Sequence, residues 1–330
     1  MRFITSLTGR ARASAIALTF LAGATAAQAA PHAMCGGVDY NRMILDIIRD
    51  LPDGGGYSLG SDLELPTITA HNIGGGHWQM RVYDGHPSHC TSATYTVFAH
   101  LAARLQDAGR IELTSEQILS LVAMRSLPDG RSRSDGQGPF WIFNSNGAGV
   151  AALLKHTGTG FSFRDDKLLY ARPGDFLKLF WNENVGSSES GHQVIYTGNR
   201  KLEGRDMVCF WSSQRQRKKK RNGRTEPLYF PASATGKVHN GYGQVCRPRE
   251  DIKAMIFSRL TCMEHLGDGL RSMAAKAKSE DRGHRPDLFF DHYLAKIRDK
   301  PSNQATLDRM YGIETAPSAA FADVGIAPLR

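Results

Sequence analysis

The sequence predicts an α+β fold in which helices pack on an antiparallel sheet. Two observations lead to this prediction. Apolar residues mostly keep a helical period as far as residue 156, and from residue 161 onward they form short, strand-like runs. Helices followed by a series of strands are typical of α+β domains rather than of alternating α/β folds. The 330 residues are 41% hydrophobic and 22% charged, a composition that argues against a wholly disordered chain.

The first 29 residues have the pattern of a secretory signal peptide. A start with three arginines and no acid precedes an apolar stretch over residues 13–23, and Ala27-Gln28-Ala29 matches a signal-peptidase site. The order of these parts favours this interpretation over a buried first helix. Cleavage after Ala29 would remove the three arginines and lower the net charge from +9 to +6. We therefore expect a periplasmic or secreted protein with no transmembrane segment and no nucleic acid partner.

Helices are predicted where apolar residues recur every three or four positions between turn or capping residues. They are residues 38–51, 90–109, 114–128 and 146–156. Pro52 and three glycines end the first helix and begin a Gly- and Pro-rich connection. Thr114 is the expected N-cap of the third helix, with an acid in its first turn.

Strands are predicted where β-branched or aromatic residues form short runs between turn residues. They are residues 161–163, 175–181, 193–196, 207–211 and 242–245. Beyond residue 262 the composition loosens. One helix is expected near residues 288–297, and the last twenty residues are expected to be poorly ordered.

Cys90 carries the strongest chemical signal. In the segment His86-Pro87-Ser88-His89-Cys90, the thiol stands where a loop becomes a long helix. Unpaired backbone N–H groups and the helix dipole favour a thiolate there, and the thiolate is the nucleophilic form of cysteine. The alternative is a cysteine that forms a disulfide or simply belongs to the core.

His192 is the candidate partner of Cys90. Pro173-Gly174-Asp175 forms a turn that begins one strand, and Gly191-His192 begins the next strand after a polar loop. A histidine at that edge can face a cleft, accept the cysteine proton and later donate it to a leaving amine. The alternative is a purely structural strand histidine.

Together these motifs resemble the NlpC/P60 superfamily of cell-wall cysteine peptidases and amidases. The similarity covers residues 76–214 and consists of the cysteine at a helix start, the Pro-Gly-Asp turn and the Gly-His strand that continues to Tyr196. It implies a papain-like core with Cys90 as nucleophile and His192 as base. It also implies cleavage of peptide or amide bonds in peptidoglycan through a thioester.

The resemblance suggests a division of the chain into four parts. These are a signal peptide, residues 1–29; an N-terminal helix and connection, residues 30–75; a catalytic domain, residues 76–262; and a partly disordered C-terminal extension, residues 263–330. Cys90 and His192 lie 102 positions apart, which is more than is usual in the family. We interpret residues 109–160 as an inserted helical segment that frames the substrate.

Further site residues follow from neighbourhood and strand alternation. Many family members carry an orienting histidine on the strand after the base, and this chain has none there. Gln214 is the candidate in its place because its carbonyl could accept the ring N–H of the base, and Ser212 is the second choice. Ser88 and His89 adjoin Cys90 and are candidate substrate-binding residues.

Three further features of the sequence bear on surface binding, metal binding and disulfide formation. Residues 215–224 are strongly basic and are interpreted as a solvated loop or as a docking site for an anionic envelope surface. The histidines before Cys90 lack zinc-site spacing, so no metal and no cofactor are expected. The other four cysteines could form two disulfides in any of three pairings; they are Cys35, Cys209, Cys246 and Cys262.

The leading functional prediction is an exported cysteine hydrolase that acts on peptidoglycan stem peptides. Two alternatives stay open. One is a non-enzymatic envelope-binding protein with a papain-like fold that uses the basic loop, and the other is a protease that acts on proteins.

Overall fold

The structure, a computed structural model, describes residues 34–123, 149–183, 190–221, 223–233, 236–279, 305, 308 and 312–314. The predicted signal peptide and the predicted helix near residues 288–297 lie outside these residues. No helix in the described part of the chain combines the length and the apolar character needed to cross a membrane.

The described residues form five α-helices and thirteen β-strands. The helices are α1 (Tyr40–Asp50), α2 (Cys90–Asp107), α3 (Ser115–Ser120), α4 (Gly149–Thr157) and α5 (Leu266–Ser279). The strands are β1 (Gly54–Gly55), β2 (Thr67–Gly74), β3 (His77–Tyr83), β4 (Gly160–Arg164), β5 (Phe176–Phe180), β6 (Gly191–Leu202), β7 (Arg205–Gln214), β8 (Lys218–Arg221), β9 (Arg224–Pro227), β10 (Phe230–Pro231), β11 (Gly241–Pro248), β12 (Ala254–Leu260) and β13 (Ile313–Glu314). The fold is therefore mixed α+β, as the sequence predicts.

Nine strands form one large sheet in the order β1-β11-β7-β6-β5-β12-β4-β13, with β10 beside β11. Its pairs are antiparallel except for β13 and β4, which run parallel. The strands β2 and β3, and the strands β8 and β9, form two separate hairpins. The order places β5, β6 and β7, which carry most of the sequence motifs, in the middle of the sheet.

Helix α2 is the buried centre of the helical layer. Fourteen of its 18 residues are buried, so apolar or small residues must surround it on nearly every side. Two of its buried threonines are satisfied within the helix, since the hydroxyl groups of Thr94 and Thr96 donate to the carbonyl oxygens of Cys90 and Ser92. The helix packs on β6 and β7, and Ile195 and Trp211 on those strands belong to the same core.

A second core covers the opposite face of the sheet. Val194 and Phe210 belong to it, as do Val245 and Phe257 on neighbouring strands. Strand residues alternate between the two faces, so each central strand contributes to both cores. The sheet is therefore buried on both sides.

A buried ion pair joins the turn before β5 to β12. Asp175 is fully buried and accepts hydrogen bonds from the Arg259 guanidinium at 2.8 and 2.7 Å. The same carboxylate accepts the Asn41 side-chain amide at 2.9 Å and the Arg172 backbone N–H at 2.8 Å. The Pro-Gly-Asp turn thus links the sheet to α1 as well as starting a strand.

Four cysteines form two disulfides, in one of the three pairings that the sequence analysis left open. Cys35 is bonded to Cys262, and Cys209 is bonded to Cys246. The first joins the segment before α1 to the segment before α5. The second lies between directly paired residues of β7 and β11. Cys90 is the free cysteine, as expected when the other four form two disulfides.

Several elements differ from the sequence prediction. The connection after α1 contains the β2–β3 hairpin, whose turn uses Gly75 and Gly76 at positive φ. Strand β12 and helix α5 were not predicted. Leu266, Leu270 and Met273 of α5 belong to the main core, so the large domain continues past residue 262.

The basic block of residues 215–224 is not a simple solvated loop, because most of it belongs to the β8–β9 hairpin. Lys219 and Arg221 point towards the body of the protein and form ion pairs with Glu226 and Asp251. Lys218 and Lys220 alternate with them and are exposed. The pairing of alternate residues neutralises one side of the hairpin and leaves the other side cationic.

Replacement of Asp175 tests the buried ion pair. Asp175→Ala should lower the free energy of unfolding by about 3–5 kcal/mol, because it leaves the buried Arg259 guanidinium without its carboxylate. Urea denaturation followed by circular dichroism measures this loss. The control is Asp206→Ala, since Asp206 pairs with Lys201 at 74% and 76% side-chain exposure and should cost less than about 1 kcal/mol. Equal losses in the two variants would contradict a structural role for the buried pair.

Candidate functional site

Cys90 is the first residue of α2 and lies behind a polar cap. His89 is the N-cap residue, and its Nδ1 accepts the backbone N–H of Ser92 at 3.0 Å. Cys90 is 8% exposed, and its Sγ contacts the Thr91 hydroxyl at 3.8 Å. A free thiol therefore stands at the start of the helix, just below the surface.

Two serine hydroxyls attach this helix start to the sheet. The Ser212 hydroxyl donates to the carbonyl oxygen of Gln193 at 2.9 Å and lies 3.5 Å from the carbonyl oxygen of Cys90. The Ser213 hydroxyl donates to the carbonyl oxygen of Ser88 at 3.1 Å. The Cys90 backbone is thus held beside the start of β6, one residue from His192.

His192 lies where β6 and β7 diverge. The backbone pairing between β6 and β7 begins at Ile195 and Trp211. His192 precedes the paired part of β6 and is paired instead with Leu179 of β5. Its ring lies among Trp181, Phe210 and Tyr229, with ring centroids 6.3, 5.7 and 6.1 Å away. The imidazole therefore occupies the aromatic face of the sheet, and α2 packs on the other face.

Cys90 and His192 both lie near the end of the sheet where β6 begins, the cysteine on the helix that packs on one face and the imidazole on the other face. Within the described residues, no hydrogen bond joins the Cys90 sulfur to His192. Tyr57 and Tyr229 line the same cavity as His192. Burial is the largest cause that raises the pKa of Tyr57.

The cavity beside His192 has a volume of about 430 Å³ and a cationic lining. Aromatic rings from Tyr57, Trp181 and Tyr229 form part of its wall. Its charged lining residues are Arg215, Arg217 and Arg247, and none of its described lining residues is an aspartate or a glutamate. We refer to it below as the His192 cavity.

Burial keeps both site histidines neutral, and for His192 positive neighbours add to this effect. Burial is the largest cause that lowers the pKa of His192 to about 3, and the charges of Arg247 and Lys178 lower it further. Burial lowers the pKa of His89 to about 4. The His89 Nδ1 accepts an N–H, so its proton is on Nε2 and His89 has no free ring lone pair for general base chemistry.

Buried polar atoms without a protein partner are concentrated around the helix start. Among the described residues they include Nε2 of His89, Nε2 of His192 and Oε1 of Gln214. Buried polar groups are normally paired, so such a group of atoms is typical of a place where a polar molecule binds. This concentration supports the sequence-based choice of the site.

The structure does not place Gln214 or Ser212 in a hydrogen bond with His192, and it buries Ser88. Gln214 lines the His192 cavity, but its amide donates to the carbonyl oxygen of Gly243 at 3.2 Å, and its Oε1 accepts no bond from His192. Ser212 binds backbone carbonyls rather than the imidazole. Ser88 is completely buried under the helix start and has no surface to offer a substrate, whereas His89 is 2% exposed.

Sequence reasoning did not identify Tyr57, Trp181, Tyr229 or Arg247 as site residues. Tyr57 stands in the Gly-rich connection, and Arg247 follows a disulfide cysteine on β11. The only local signal was Trp181, which ends the hydrophobic strand before the Gly-His motif. The order of the strands in the sheet brings these residues together, and this order could not be predicted from the sequence.

A metal site is not supported by the described residues. The one group of three potential ligands there is Cys35, Cys262 and His265, and its two cysteines form a disulfide. A disulfide sulfur lacks the thiolate that binds zinc.

The neutral state of His192 predicts a pH-dependent stability. The unfolded chain binds a proton on this histidine below about pH 6.5, and the folded chain does so only near pH 3, so the folded state loses stability as the pH falls between these values. By about pH 5 the loss is of the order of 2 kcal/mol. His192→Phe should reduce the difference in unfolding free energy between about pH 7 and about pH 5, measured with urea.

The control for this measurement is His71→Ala, because His71 is exposed on the β2–β3 hairpin. It should leave the pH dependence as in the unmodified protein. The same pH dependence in the His192→Phe protein would show that His192 titrates normally in the folded state.

No protein-family model, curated protein or solved structure matches this chain in the comparisons with known proteins.

Proposed function

We propose that this protein is an exported cysteine hydrolase that cleaves peptide or amide bonds in peptidoglycan, with Cys90 as nucleophile and His192 as base. The observation that carries the proposal is the position of the single free cysteine. Cys90 begins a buried helix, and serine hydroxyls hold it beside the strand that carries His192. The peptidoglycan substrate and the export rest on the sequence, through the resemblance to the NlpC/P60 superfamily and the signal-peptide pattern.

The fold proposed for this activity is papain-like. In support of it, the cysteine-bearing helix α2 packs on β6, which carries the histidine, and on β7, which follows it. Helices α3 and α4 lie within residues 109–160, the segment interpreted as an insertion, and α3 contacts the β2–β3 hairpin.

The first step is attack of the Cys90 sulfur on a substrate carbonyl carbon. A sulfur–carbon bond forms, and the thiol proton moves to a neutral His192, which has a free ring lone pair. The carbonyl oxygen becomes negative in the tetrahedral intermediate. Backbone N–H groups at the start of α2 can donate to it, including that of Cys90.

The second step breaks the carbon–nitrogen bond. His192 returns its proton to the leaving amine, and the acyl group stays on Cys90 as a thioester. Water then attacks the thioester while His192 accepts a proton from it, and the thiol leaves with that proton. Burial, together with the charges of Arg247 and Lys178, disfavours a long-lived imidazolium, which makes His192 a group that passes the proton on quickly.

His89 is assigned a binding role. Its Nε2 carries the proton and has no hydrogen-bond partner among the described residues, so it is a donor near the nucleophile. A substrate oxygen that reaches Nε2 would satisfy this donor.

Removal of the nucleophile or the base should abolish the reaction with the fold intact. Cys90→Ala should reduce release of soluble fragments from purified peptidoglycan sacculi to background, and His192→Ala should reduce the rate by about 10²–10⁴-fold. Mass spectrometry of the fragments measures both and identifies the bond that is cut. The matched control is His71→Ala, which removes an exposed histidine far from the site and should retain full activity.

Full activity of the Cys90→Ala protein would refute the proposed mechanism. Cleavage of casein without any cleavage of sacculi would instead favour the alternative of a protease that acts on proteins.

One observation favours a second candidate function, that of a non-enzymatic envelope-binding protein. The outward side of the β8–β9 hairpin carries Lys218 and Lys220, Arg224 beside its turn is exposed as well, and Lys219 and Arg221 on the inward side form ion pairs. A cationic surface of this kind binds polyanions by electrostatic attraction, which salt weakens.

A charge-removal variant tests this binding surface. Lys218→Gln, Lys220→Gln and Arg224→Gln together should lower the fraction of protein that sediments with sacculi and make the remaining binding less sensitive to salt. The charge-matched control replaces Lys167, Arg200 and Lys201, which are exposed elsewhere, by glutamine. Equal loss in the two triple variants would show that net charge, rather than the hairpin, controls binding.

A further inference from the structure

We propose that the His192 cavity takes a substrate that carries a carboxylate, and that Arg247 is the residue that recognises this group. The inference names the substrate chemistry of the site proposed above and rests on that proposal. It is carried by the placement of the Arg247 side chain, by its incomplete neutralisation and by the charges of the cavity wall.

Arg247 is fixed in place by aromatic stacking. Its guanidinium lies 4.0 Å from the ring centroid of Trp181 and 5.7 Å from that of Tyr229. The side chain is 10% exposed, and all three residues line the His192 cavity. A guanidinium stacked on a ring keeps its N–H groups in its own plane, where they can bind the two oxygens of a carboxylate.

The charge of Arg247 is only partly balanced by the protein. Arg247 forms an ion pair with Asp251, in which the Arg247 Nε lies 3.6 Å from the Asp251 Oδ2. The Arg247 Nε makes no hydrogen bond. Asp251 also forms ion pairs with Lys219 and Arg221. Asp251 is thus shared with two other cations, and it makes no hydrogen bond to the Nε–H of Arg247.

The rim of the cavity adds two more cations. Arg215 and Arg217 are exposed and line it, and the Arg215 guanidinium lies 5.4 Å from the ring centroid of Tyr57. No aspartate or glutamate belongs to the described lining. An anionic substrate group would thus be attracted at the rim and fixed deeper in, at Arg247.

This charge arrangement opposes a cationic substrate group at the same place. The charges of Arg247 and Lys178, which add to burial in keeping His192 unprotonated, would also repel an ammonium group. A carboxylate, in contrast, satisfies the N–H groups of Arg247 and lowers the repulsion among the three arginines. The cavity wall therefore discriminates by charge before any bond is cut.

The test uses Cys90→Ala protein, which binds but cannot form a thioester, and two peptides that differ only in charge. They are acetyl-Ala-Glu-Ala-amide and acetyl-Ala-Gln-Ala-amide, with dissociation constants measured by isothermal titration calorimetry. We expect the glutamate peptide to bind at least about 10-fold more tightly, as for a hydrogen bond to a charged group. Adding Arg247→Gln should remove most of this preference.

Two further variants keep the result interpretable if Arg247→Gln folds poorly. Arg217→Gln replaces an exposed residue and should reduce the preference by a smaller factor, and Arg247→Lys should retain only part of it because lysine lacks the planar pair of donors. The control Arg200→Gln removes an exposed arginine outside the cavity and should leave the preference unchanged.

The outcomes separate this inference from the proposed function. Equal binding of the two peptides, or an unchanged preference in folded Arg247→Gln protein, would overturn the carboxylate assignment even if the enzyme hydrolyses sacculi. A preference that depends on Arg247 would support the assignment even if no hydrolysis is found, in which case only the hydrolase proposal fails.

Discussion

The attachment of the α2 N-terminus to the middle of the sheet is the constraint on which the site depends. Two adjacent serines of β7 supply it, since Ser212 reaches the carbonyl oxygens of Cys90 and Gln193, and Ser213 reaches that of Ser88. A helix so thoroughly buried cannot shift without opening the core on which it packs. The thiol therefore has a fixed position relative to the strand that carries the candidate base.

The electrostatics of the site follow from a shortage of carboxylates. The arginines of the cavity are stacked on rings rather than paired within its wall, as seen for Arg247 on Trp181 and Arg215 on Tyr57. Such a field stabilises any negative charge that develops on sulfur or on a carbonyl oxygen, and it disfavours a protonated imidazole. A neutral imidazole at His192 before substrate binding is the expected resting state.

Local signals in the sequence predicted the parts of the site that depend on chain neighbours. The helix start at Cys90, the capping residues of α3 and the strand start at His192 are of this kind, and the structure contains all three elements. Strand β12 was missed because it mixes buried Ser258 and Arg259 with apolar residues, and Arg259 is tolerated there only through Asp175, 84 positions away. Arg247 was missed for the same reason, since its partners are distant in the chain.

The cross-strand disulfide between Cys209 and Cys246 has a consequence for side-chain orientation. Arg247 is the next residue on β11, and a slip of that strand by one position would turn its guanidinium to the opposite face of the sheet. The covalent bond between facing residues forbids this slip. In an oxidising compartment the disulfide thus fixes the face of the sheet on which the Arg247 side chain lies. In a reducing compartment, backbone hydrogen bonds alone would have to keep this orientation.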